Sequence, residues 1–287
     1  MNAQPRHRLP ECLRLLENQR GFDAEGDCRF GPEDEFCVRL ATSAEDRRRA
    51  WALAYRVYLE KGYAQPNAQE LWYSVHDALP NTLTILVERG DELIGAGTDV
   101  PDSPRGLPAD AVFPEEMRRL RAEGRRLFEA VSLVQGAVSE RTGILVVAKL
   151  HEMLCLVGER LLGGTDLVCT VNPRHEAYYR RLMLFERRGG ETSCGKVSGA
   201  PAVFLTLNMA DVRQHVERAG LPDAPKSIYR RFIGPAQAQA VAERLRRQHR
   251  PLDEAAIRRF FVHERPLLNQ VSPEQFAHIR METAAAW

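Results

Sequence analysis

The sequence predicts an α/β (α+β) fold in which helices flank a central sheet and a helical appendage follows at the C-terminus. Three observations lead to this fold class. Short segments with strand periodicity alternate with amphipathic helical segments between residue 36 and about residue 210. One strand, over residues 127–138, is apolar on both faces, as expected at the centre of a sheet. The segments after residue 210 have helical periodicity.

The composition excludes several classes of protein. The chain has 287 residues, of which 44% are hydrophobic and 28% are charged, so it is neither disordered nor collagen-like. Its 40 Lys and Arg nearly balance its 39 Asp and Glu, which gives no electrostatic reason to expect a nucleic-acid partner. We also expect no stable membrane insertion, because no apolar run reaches the roughly 18 residues that span a bilayer.

The six cysteines are scattered and form no Cys-x-x-Cys pair, so reduced thiols are expected. The N-terminus leads into no apolar segment typical of a signal peptide. Both features predict a cytoplasmic protein. His151 and Cys155 are spaced like a pair of metal ligands on a helix, but no further ligands cluster near them in the sequence. They are interpreted as core or surface residues, and no metal site is predicted.

The patterning divides the chain into three parts. Residues 1–35 are polar, with several Pro and Gly, and are interpreted as an N-terminal arm with a short helix over Leu9 to Asn18. Residues 36–210 contain the alternating strands and helices, with order beginning near Phe36. Residues 211–287 form the helical extension.

The first half of the middle part predicts a strand, a helix and a hairpin. Residues 36–40 alternate as a strand, and Ser43 with Asp46 is typical of a helix start. Tyr58 ends an apolar stripe at helical spacing. Residues 82–88 and 93–99 are two strands joined by a turn.

The second half begins with a charged helix and the central strand, and a longer helix follows. That longer helix has a buried stripe from Val146 to Leu161. Residues 166–171 predict a strand, after which Asn172 and Pro173 are the N-cap and first residue of another helix. A last strand is predicted over residues 202–207.

The extension contains three short amphipathic helices. The first surrounds Val241 and Leu245, Asp253 caps the second, and Ser272 begins a capping box for the third. Three such helices also suggest a helix-turn-helix, but the segment 265–275 is long and contains two prolines. This argues against DNA binding.

Several segments resemble a known superfamily. The central strand from Phe128 to Val134, with its following turn and helix, resembles the central strand of the GNAT N-acyltransferase fold, and residues 171–185 resemble the late GNAT motif. More narrowly, residues 38–41, residues 55–58 and the pair His76-Asp77 are similar to bacterial long-chain N-acyl-amino-acid synthases, relatives of the acyl-homoserine-lactone synthases. The resemblance covers about residues 36–210. It implies a GNAT-like mixed, mostly antiparallel sheet and acyl transfer from a thioester to an amine.

The resemblance implies four catalytic candidates. The amine must lose a proton, and Glu129 matches the family's base position, where partial burial would raise its pKa. The alternative is a strand-edge Glu that faces solvent or pairs with Arg125. Ser132 is a second polar residue in the apolar strand. Tyr178 and Tyr179 lie where superfamily members often hold a tyrosine that protonates the leaving thiolate; the alternative is core packing of one ring with the other at the surface.

Three further residues are candidates for binding the acceptor. Asp77 matches an acidic position that relatives use near the acceptor amine, although it could equally cap its own loop. Asn172 is most simply a helix cap, and His175 could lie on the surface or line the cleft. Relatives often place an Arg after the central-strand Ser, where this chain has Leu133. Recognition of an acceptor carboxylate therefore falls to another residue, or the acceptor differs.

The donor carries a pantetheine arm, which can pair with exposed main chain like an extra strand. The resemblance places this contact at the end of the central strand, where Gly136 would allow a close approach to the backbone. The candidates there are Leu133, Val134, Gln135, Gly136 and Ala137.

The turn that follows the central strand departs from the pyrophosphate-binding loop of acetyl-CoA enzymes. It has one glycine, Gly143, and an acidic residue, Glu140, although Arg141, Thr142 and Gly143 remain donor-binding candidates. The departure favours a carrier with a single phosphate, such as an acyl carrier protein, over CoA. Such a protein is acidic, so arginines in 118–126 or Arg141 are candidates for docking it. The alternative is that they are ordinary surface arginines.

The sequence therefore predicts an N-acyltransferase that moves a long acyl chain from an acyl carrier protein to the amine of an amino acid or similar small molecule. No tightly bound cofactor is expected beyond the acyl thioester. Two alternatives remain open. One is an acetyl-CoA-dependent N-acetyltransferase, and the other is a GNAT-like acyl-binding or regulatory module without activity.

Overall fold

The computed structural model describes residues 28–31, 35–219, 221 and 227–270. Within these ranges, eight strands form one sheet. They are β1 (Cys28–Phe30), β2 (Phe36–Leu40), β3 (Leu83–Arg89), β4 (Glu92–Pro101), β5 (Leu127–Gln135), β6 (Asp166–Val171), β7 (Glu186–Cys194) and β8 (Ala200–Asn208).

The α-helices of the described residues are α1 (Ala44–Glu60), α2 (Pro114–Ala122), α3 (Glu140–Arg160), α4 (Pro173–Leu182), α5 (Met209–Glu217), α6 (Pro235–Gln248) and α7 (Glu254–Arg258). Short 3-10 segments are Val75–Ala78, Pro108–Ala111, Gly195–Val197, Ile228–Arg231 and Leu267–Gln270, and a π-helical segment is Arg259–Glu264. Among the helices in these ranges, none has both the length and the apolar character needed to cross a membrane.

The strand order is β1-β2-β3-β4-β5-β6-β8-β7. All neighbouring strands are antiparallel except β5 and β6, which are parallel. A mixed, mostly antiparallel sheet with flanking helices is the fold class that the sequence predicts, and the structure confirms it.

The parallel pair β5–β6 separates soon after it begins. Pairing runs only from Leu127–Asp166 to Glu129–Val168. Beyond Glu129, β5 pairs with β4 alone and β6 pairs with β8 alone. The sheet therefore opens between its two central strands, and the main chain of β5 on that edge has no strand partner among the described residues.

A bulge in β5 lies beside this opening. Val131 faces Thr98 and Val134 faces Ala96, so two residues of β5 stand opposite one residue of β4. Ser132, in the bulge, has φ of 52°, a left-handed conformation that costs energy for a residue with a side chain. The bulge changes the direction of the side chains that follow Glu129.

Helices cover both faces of the sheet. On β3, Leu86 packs in a cluster with α1, whereas its neighbours Ile85 and Val87 pack in a cluster with α3. Because side chains alternate along a strand, α1 and α3 lie on opposite faces. A Cβ on Gly158 of α3 would lie 1.9 Å from the Phe128 ring, so glycine is needed for this ring to pack on the α3 face. The next residue of β5 consequently points to the other face.

The C-terminal extension packs against both faces of the sheet. Tyr229 is fully buried in the cluster on the α3 face, where its hydroxyl donates to the Met183 carbonyl. Phe260 and Phe261 are buried in the cluster on the other face, and both contact the Trp51 ring edge to face. The extension therefore packs first on the α3 face and then on the other face of the sheet. It belongs to the same folded core as the strands.

Most predicted elements are present, with two differences. Order was expected to begin near Phe36, but Cys28–Phe30 already pairs with β2, and Phe30 is fully buried. The edge strand β7 was not predicted, because it is polar and almost wholly exposed and therefore lacks an apolar alternation. The predicted helix over residues 9–18 and the capping box at Ser272 lie outside the described residues. The division of the chain at residues 35 and 210 stays a prediction.

Candidate active site

A cavity of about 890 Å³ lies where β5 and β6 separate. Its lining comes from both faces of the sheet, with Leu154 and Phe185 on the α3 face and Val131 and Leu107 on the other. The opening between the strands thus connects the two layers. The predicted site residues that line this cavity are Glu129, Ser132, Leu133, Asn172, His175 and Tyr179.

Glu129 is the buried carboxylic acid of this cavity. It is 2% exposed, and its Oε2 accepts a 2.7 Å hydrogen bond from the main-chain N–H of Ala109. Burial raises its pKa from 4.5 to about 8, against the lowering effect of that hydrogen bond. At neutral pH the group is thus mostly protonated but close to its titration point, as suits a group that exchanges protons.

The alternative reading of Glu129 as a solvent-facing or Arg125-paired residue is wrong. Arg125 instead lies 3.4 Å from Asp166 and 3.6 Å from Glu123. The preceding residue, Phe128, packs on the α3 face. The Glu129 side chain therefore points to the other face, into the opening between β5 and β6.

Ser132 is close to Tyr58, which is not one of the site residues predicted from the sequence. The Tyr58 side chain, at the C-terminal end of α1, lies close enough to Ser132 for that hydroxyl to lower its pKa slightly against the larger effect of burial. Burial raises the pKa of Tyr58 to about 12, so it stays a neutral phenol. Tyr58 ends a helical stripe and belongs to one of the segments that carry the family resemblance, but only the tertiary structure shows that it lines the cavity.

The two adjacent tyrosines of α4 have different positions. Tyr179 lines the cavity and packs edge to face on Phe185, and burial raises its pKa well above the usual range. Tyr178 contacts the Tyr179 ring but does not line the cavity. The structure therefore brings one of the two candidates to the site.

Asp77 does not line the cavity. Its carboxylate accepts hydrogen bonds from the Trp51 indole at 3.0 Å and from the Ser74 main-chain N–H at 2.8 Å. It thus holds the loop before β3, and the neighbouring His76 lines the cavity instead. Burial, with Arg105 nearby, lowers the pKa of His76 to about 3, so this imidazole is neutral.

Asn172 and His175 lie at the N-terminus of α4. The Asn172 side chain accepts from the Arg174 main-chain N–H at 3.1 Å, which is the predicted cap. Burial, together with Arg174 and Lys61, lowers the pKa of His175 to about 4. Both residues line the cavity, so Asn172 caps the helix and also faces the cleft.

The other donor-binding candidates lie next to the cavity rather than in its lining. They are Val134, Gln135, Gly136, Ala137, Arg141, Thr142 and Gly143. They occupy the end of β5 and the first turn of α3, on the open side of the β5–β6 separation.

The first turn of α3 is capped by its own sequence. The Ser139 side chain accepts from the Thr142 main-chain N–H at 3.2 Å. A Cβ on Gly143 would lie 2.6 Å from the Gln135 side-chain amide, so glycine lets Gln135 pack on this turn. The Thr142 main-chain N–H, which in a pyrophosphate-binding turn would face the ligand, is therefore already bonded to Ser139.

Four cations of the described residues line the cavity, and no sequence pattern marked any of them as a site residue. They are Lys61, Arg105, Lys196 and Arg265. Asp110 also lines it, but two hydrogen bonds of 2.6 Å to Arg121 neutralise its charge. With Glu129 largely protonated, the cavity has a positive potential that favours anionic ligands. These cations come from loops and from the extension, which have no periodic pattern to mark them.

The arginines of 118–126 lie at the start of β5, at the end opposite to Arg141. The nine residues of β5 separate these ends, a distance of about 26 Å for eight steps of 3.3 Å. Arg121 is held by Asp102 and Asp110, and Arg118 pairs with Glu115. Of the docking candidates, Arg141 is the one at the open end of the cleft.

His151 lies at the α3 side of the cavity. Because the Tyr229 hydroxyl donates its proton to the Met183 carbonyl, the His151 Nε2–H donates to Tyr229, at 3.1 Å. Burial lowers the pKa of His151 to about 3. Cys155 lies 3.7 Å from Nε2; both are core residues. No cluster of three or more potential metal ligands occurs in the described part of the chain.

The chain was compared with known proteins. The model of the family N-acyl amino acid synthase FeeM matches residues 49–208. The solved structure of FeeM, an N-acyl amino acid synthase from uncultured soil microbes, is 23% identical, with a TM-score of 0.54, and the match covers 62% of this chain and 94% of that chain.

Two further solved structures match with TM-scores below 0.5. TofI, solved in a ternary complex with an inhibitor and MTA, is 17% identical over 77% of this chain and 99% of that chain, with a TM-score of 0.46. The AHL synthase LasI is 14% identical over 61% of this chain and 89% of that chain, with a TM-score of 0.43. No curated protein sequence matches the chain significantly.

At these identities the structural matches show the fold, whereas the family model covers more than half of the chain. The protein therefore belongs to the N-acyl amino acid synthase FeeM family and is an N-acyltransferase.

Proposed function

We propose that this enzyme transfers a long acyl chain from the phosphopantetheine of an acyl carrier protein to the amino group of an amino acid. One observation carries the proposal. Glu129, a buried carboxyl with a pKa of about 8, lies at the point where β5 and β6 separate, in a cavity that connects both faces of the sheet. A thioester and an amine can therefore meet beside a group able to move a proton.

The donor enters between the separated strands. The unpaired main chain of β5 beyond Glu129 offers hydrogen bonds to the amides of a pantetheine arm. The Ser139 cap and the acidic Glu140 at the start of α3 make this turn unsuitable for a pyrophosphate. These features support a carrier protein over CoA.

The acyl chain occupies the apolar side of the cavity. Leu133, Leu154, Leu167 and Phe185 provide this lining on the α3 face. A volume of about 890 Å³ is near the upper end of the roughly 300–1,000 Å³ found for ligand sites. An acetyl group would leave most of this apolar surface without contact.

The chemistry moves protons at Glu129 and at Tyr179. Glu129, in its ionised form, removes a proton from the acceptor ammonium, and the free amine attacks the thioester carbonyl. The C–N bond forms, the C–S bond breaks, and the Tyr179 hydroxyl gives its proton to the leaving thiolate. The attacking nitrogen loses its second proton, which reaches the Tyr179 oxygen through solvent, and Glu129 releases its own proton to solvent, so both residues finish as they began.

The test measures N-acylated products by intact mass. The purified enzyme receives a mixed amino-acid pool with either palmitoyl-acyl carrier protein or acetyl-CoA, beside Glu129→Gln. We expect palmitoylated amino acids from the carrier protein and a large loss in the variant. Product from acetyl-CoA alone would replace the proposal with an N-acetyltransferase, and binding of the acyl carrier without turnover would indicate an acyl-binding module.

A further inference from the structure

The C-terminal extension completes the cavity. Arg265 and Leu267 line it, and both lie beyond the residues 49–208 that the family model matches. The part of the chain that resembles other N-acyl amino acid synthases therefore leaves one wall of this site to be supplied by the extension.

Packing of aromatic rings fixes the position of Arg265. The π-helical segment Arg259–Glu264 buries Phe260, whose carbonyl accepts a 2.5 Å hydrogen bond from the Tyr73 hydroxyl. The Arg265 guanidinium lies 5.0 Å from the centre of the Tyr73 ring and donates to the Tyr73 carbonyl at 3.2 Å. Arg265 is thus attached to the loop that carries His76, on the face where Glu129 points.

The charge of Arg265 has no anionic partner among the described residues. No carboxylate in those ranges lies within 4.0 Å of its guanidinium. The adjacent Glu264 pairs with Arg259, at 2.7 Å. A half-buried cation without a counter-ion is available to an anionic ligand. Guanidinium groups also match carboxylates through two parallel hydrogen bonds.

The neighbouring groups increase the preference for an anion. Lys196 and Arg105 line the same cavity, and both are close enough to His76 to disfavour its protonation. Ser132 is followed by Leu133 in β5, so the central strand supplies no cation at this point of the cavity.

We infer that Arg265 binds the α-carboxylate of the amino-acid acceptor, so that the C-terminal extension determines acceptor specificity. The inference rests on the proposed function, because it assigns a role within that acceptor site. In this role Arg265 holds the acceptor with its amine toward Glu129 and takes no part in proton transfer.

The experiment compares an amino acid with its primary amide, which has the same side chain and amine but no carboxylate. Steady-state kinetics are measured for the wild type, Arg265→Gln, Arg265→Lys and Arg258→Gln. Arg258 is an exposed arginine of the same part of the chain that pairs with Glu254 and does not line the cavity. It is therefore the matched control.

For Arg265→Gln we expect KM for the amino acid to rise about 10- to 100-fold, the effect of losing a charge-assisted hydrogen bond. KM for the amide and kcat should change little. Arg265→Lys should recover part of the affinity, and Arg258→Gln should resemble the wild type. Unchanged turnover of the amide would show that the variant is folded.

Equal losses on the amino acid and the amide, or no loss on either, would overturn the inference while leaving the proposed function intact. A wild-type enzyme that acylates neither acceptor would instead reject the proposed function, and the inference with it. Equilibrium binding of the free amino acid gives a readout without turnover, and Arg265→Gln should weaken it by the same factor.

Discussion

The main-chain N–H of Ala109 donates a 2.7 Å hydrogen bond to Oε2 of Glu129. This contact joins the irregular segment between β4 and α2 to the central strand, and it closes the site around the carboxyl. One hydrogen bond stabilises the ionised form too little to offset burial, so the pKa of Glu129 remains raised, to about 8.

The first prediction concerns activity as a function of pH. If Glu129 removes the proton from the amine, kcat/KM should rise with pH up to about 8, where Glu129 becomes ionised. Glu129→Gln should lose about 100-fold or more in kcat/KM, as is typical when a general base is removed. Glu191→Gln, on the exposed strand β7, is the control and should keep the wild-type profile. An unchanged rate in Glu129→Gln would show that a water or another group is the base.

The second prediction concerns stability. Folding raises the pKa of Glu129 from 4.5 to about 8, so between these pH values the folded chain holds a proton that the unfolded chain has released. The free energy of unfolding should therefore fall as pH rises through this window, by about 1.4 kcal/mol for each unit of pKa difference. Glu129→Gln does not titrate, so its loss of stability over this window should be smaller. Urea unfolding at several pH values measures this, and parallel curves for the two proteins would contradict it.

The third prediction separates the two tyrosines of α4. Tyr179 lines the cavity and Tyr178 does not. Tyr179→Phe should lower kcat by about 10-fold or more, because the leaving thiolate loses a proton donor, whereas Tyr178→Phe should have kcat close to the wild type. Single-turnover measurements with the acyl carrier protein would distinguish a slower chemical step from slower product release. A larger loss of kcat in Tyr178→Phe than in Tyr179→Phe would make Tyr178 the proton donor instead.

The fourth prediction concerns docking of the carrier protein. Arg141 lies at the open end of the cleft, and Arg119, also exposed, lies near the start of β5. Arg141→Glu should raise KM for the acyl carrier protein several-fold and weaken the dependence of that KM on salt, because an attraction to acidic groups becomes a repulsion. Arg119→Glu is the charge-matched control. If only Arg119→Glu has an effect, the donor approaches from the other end of the sheet.

The sequence was most informative where apolar periodicity was strong. The capping box of Ser43 with Asp46 and the strand over residues 166–171 were predicted at the bounds that the structure has. The edge strand β7 was missed, because a strand exposed to solvent on both sides needs no apolar alternation. Its pairing with β8 depends on main-chain hydrogen bonds, which any polar sequence can form.

Candidate residues on regular elements were easier to find than those on loops. Glu129 stands out because it interrupts an apolar strand, whereas Tyr179 and Asp77 were selected from a resemblance, and Asp77 is used to hold a loop. Lys196 and Arg265 have no local signal, since an arginine or lysine in a loop is most often a surface residue. They reach the cavity through contacts between segments far apart in the chain.

By itself the sequence determined the α/β fold class, the central strand with Glu129 and the resemblance to N-acyltransferases, because these depend on local periodicity and short motifs. Only the tertiary structure decided that β5 and β6 separate after Glu129, that Tyr179 rather than Tyr178 lines the cavity, and that the extension brings Arg265 to it. These depend on long-range packing: the bulge at Ser132 and the burial of Phe260 against Trp51 join residues that no sequence pattern connects.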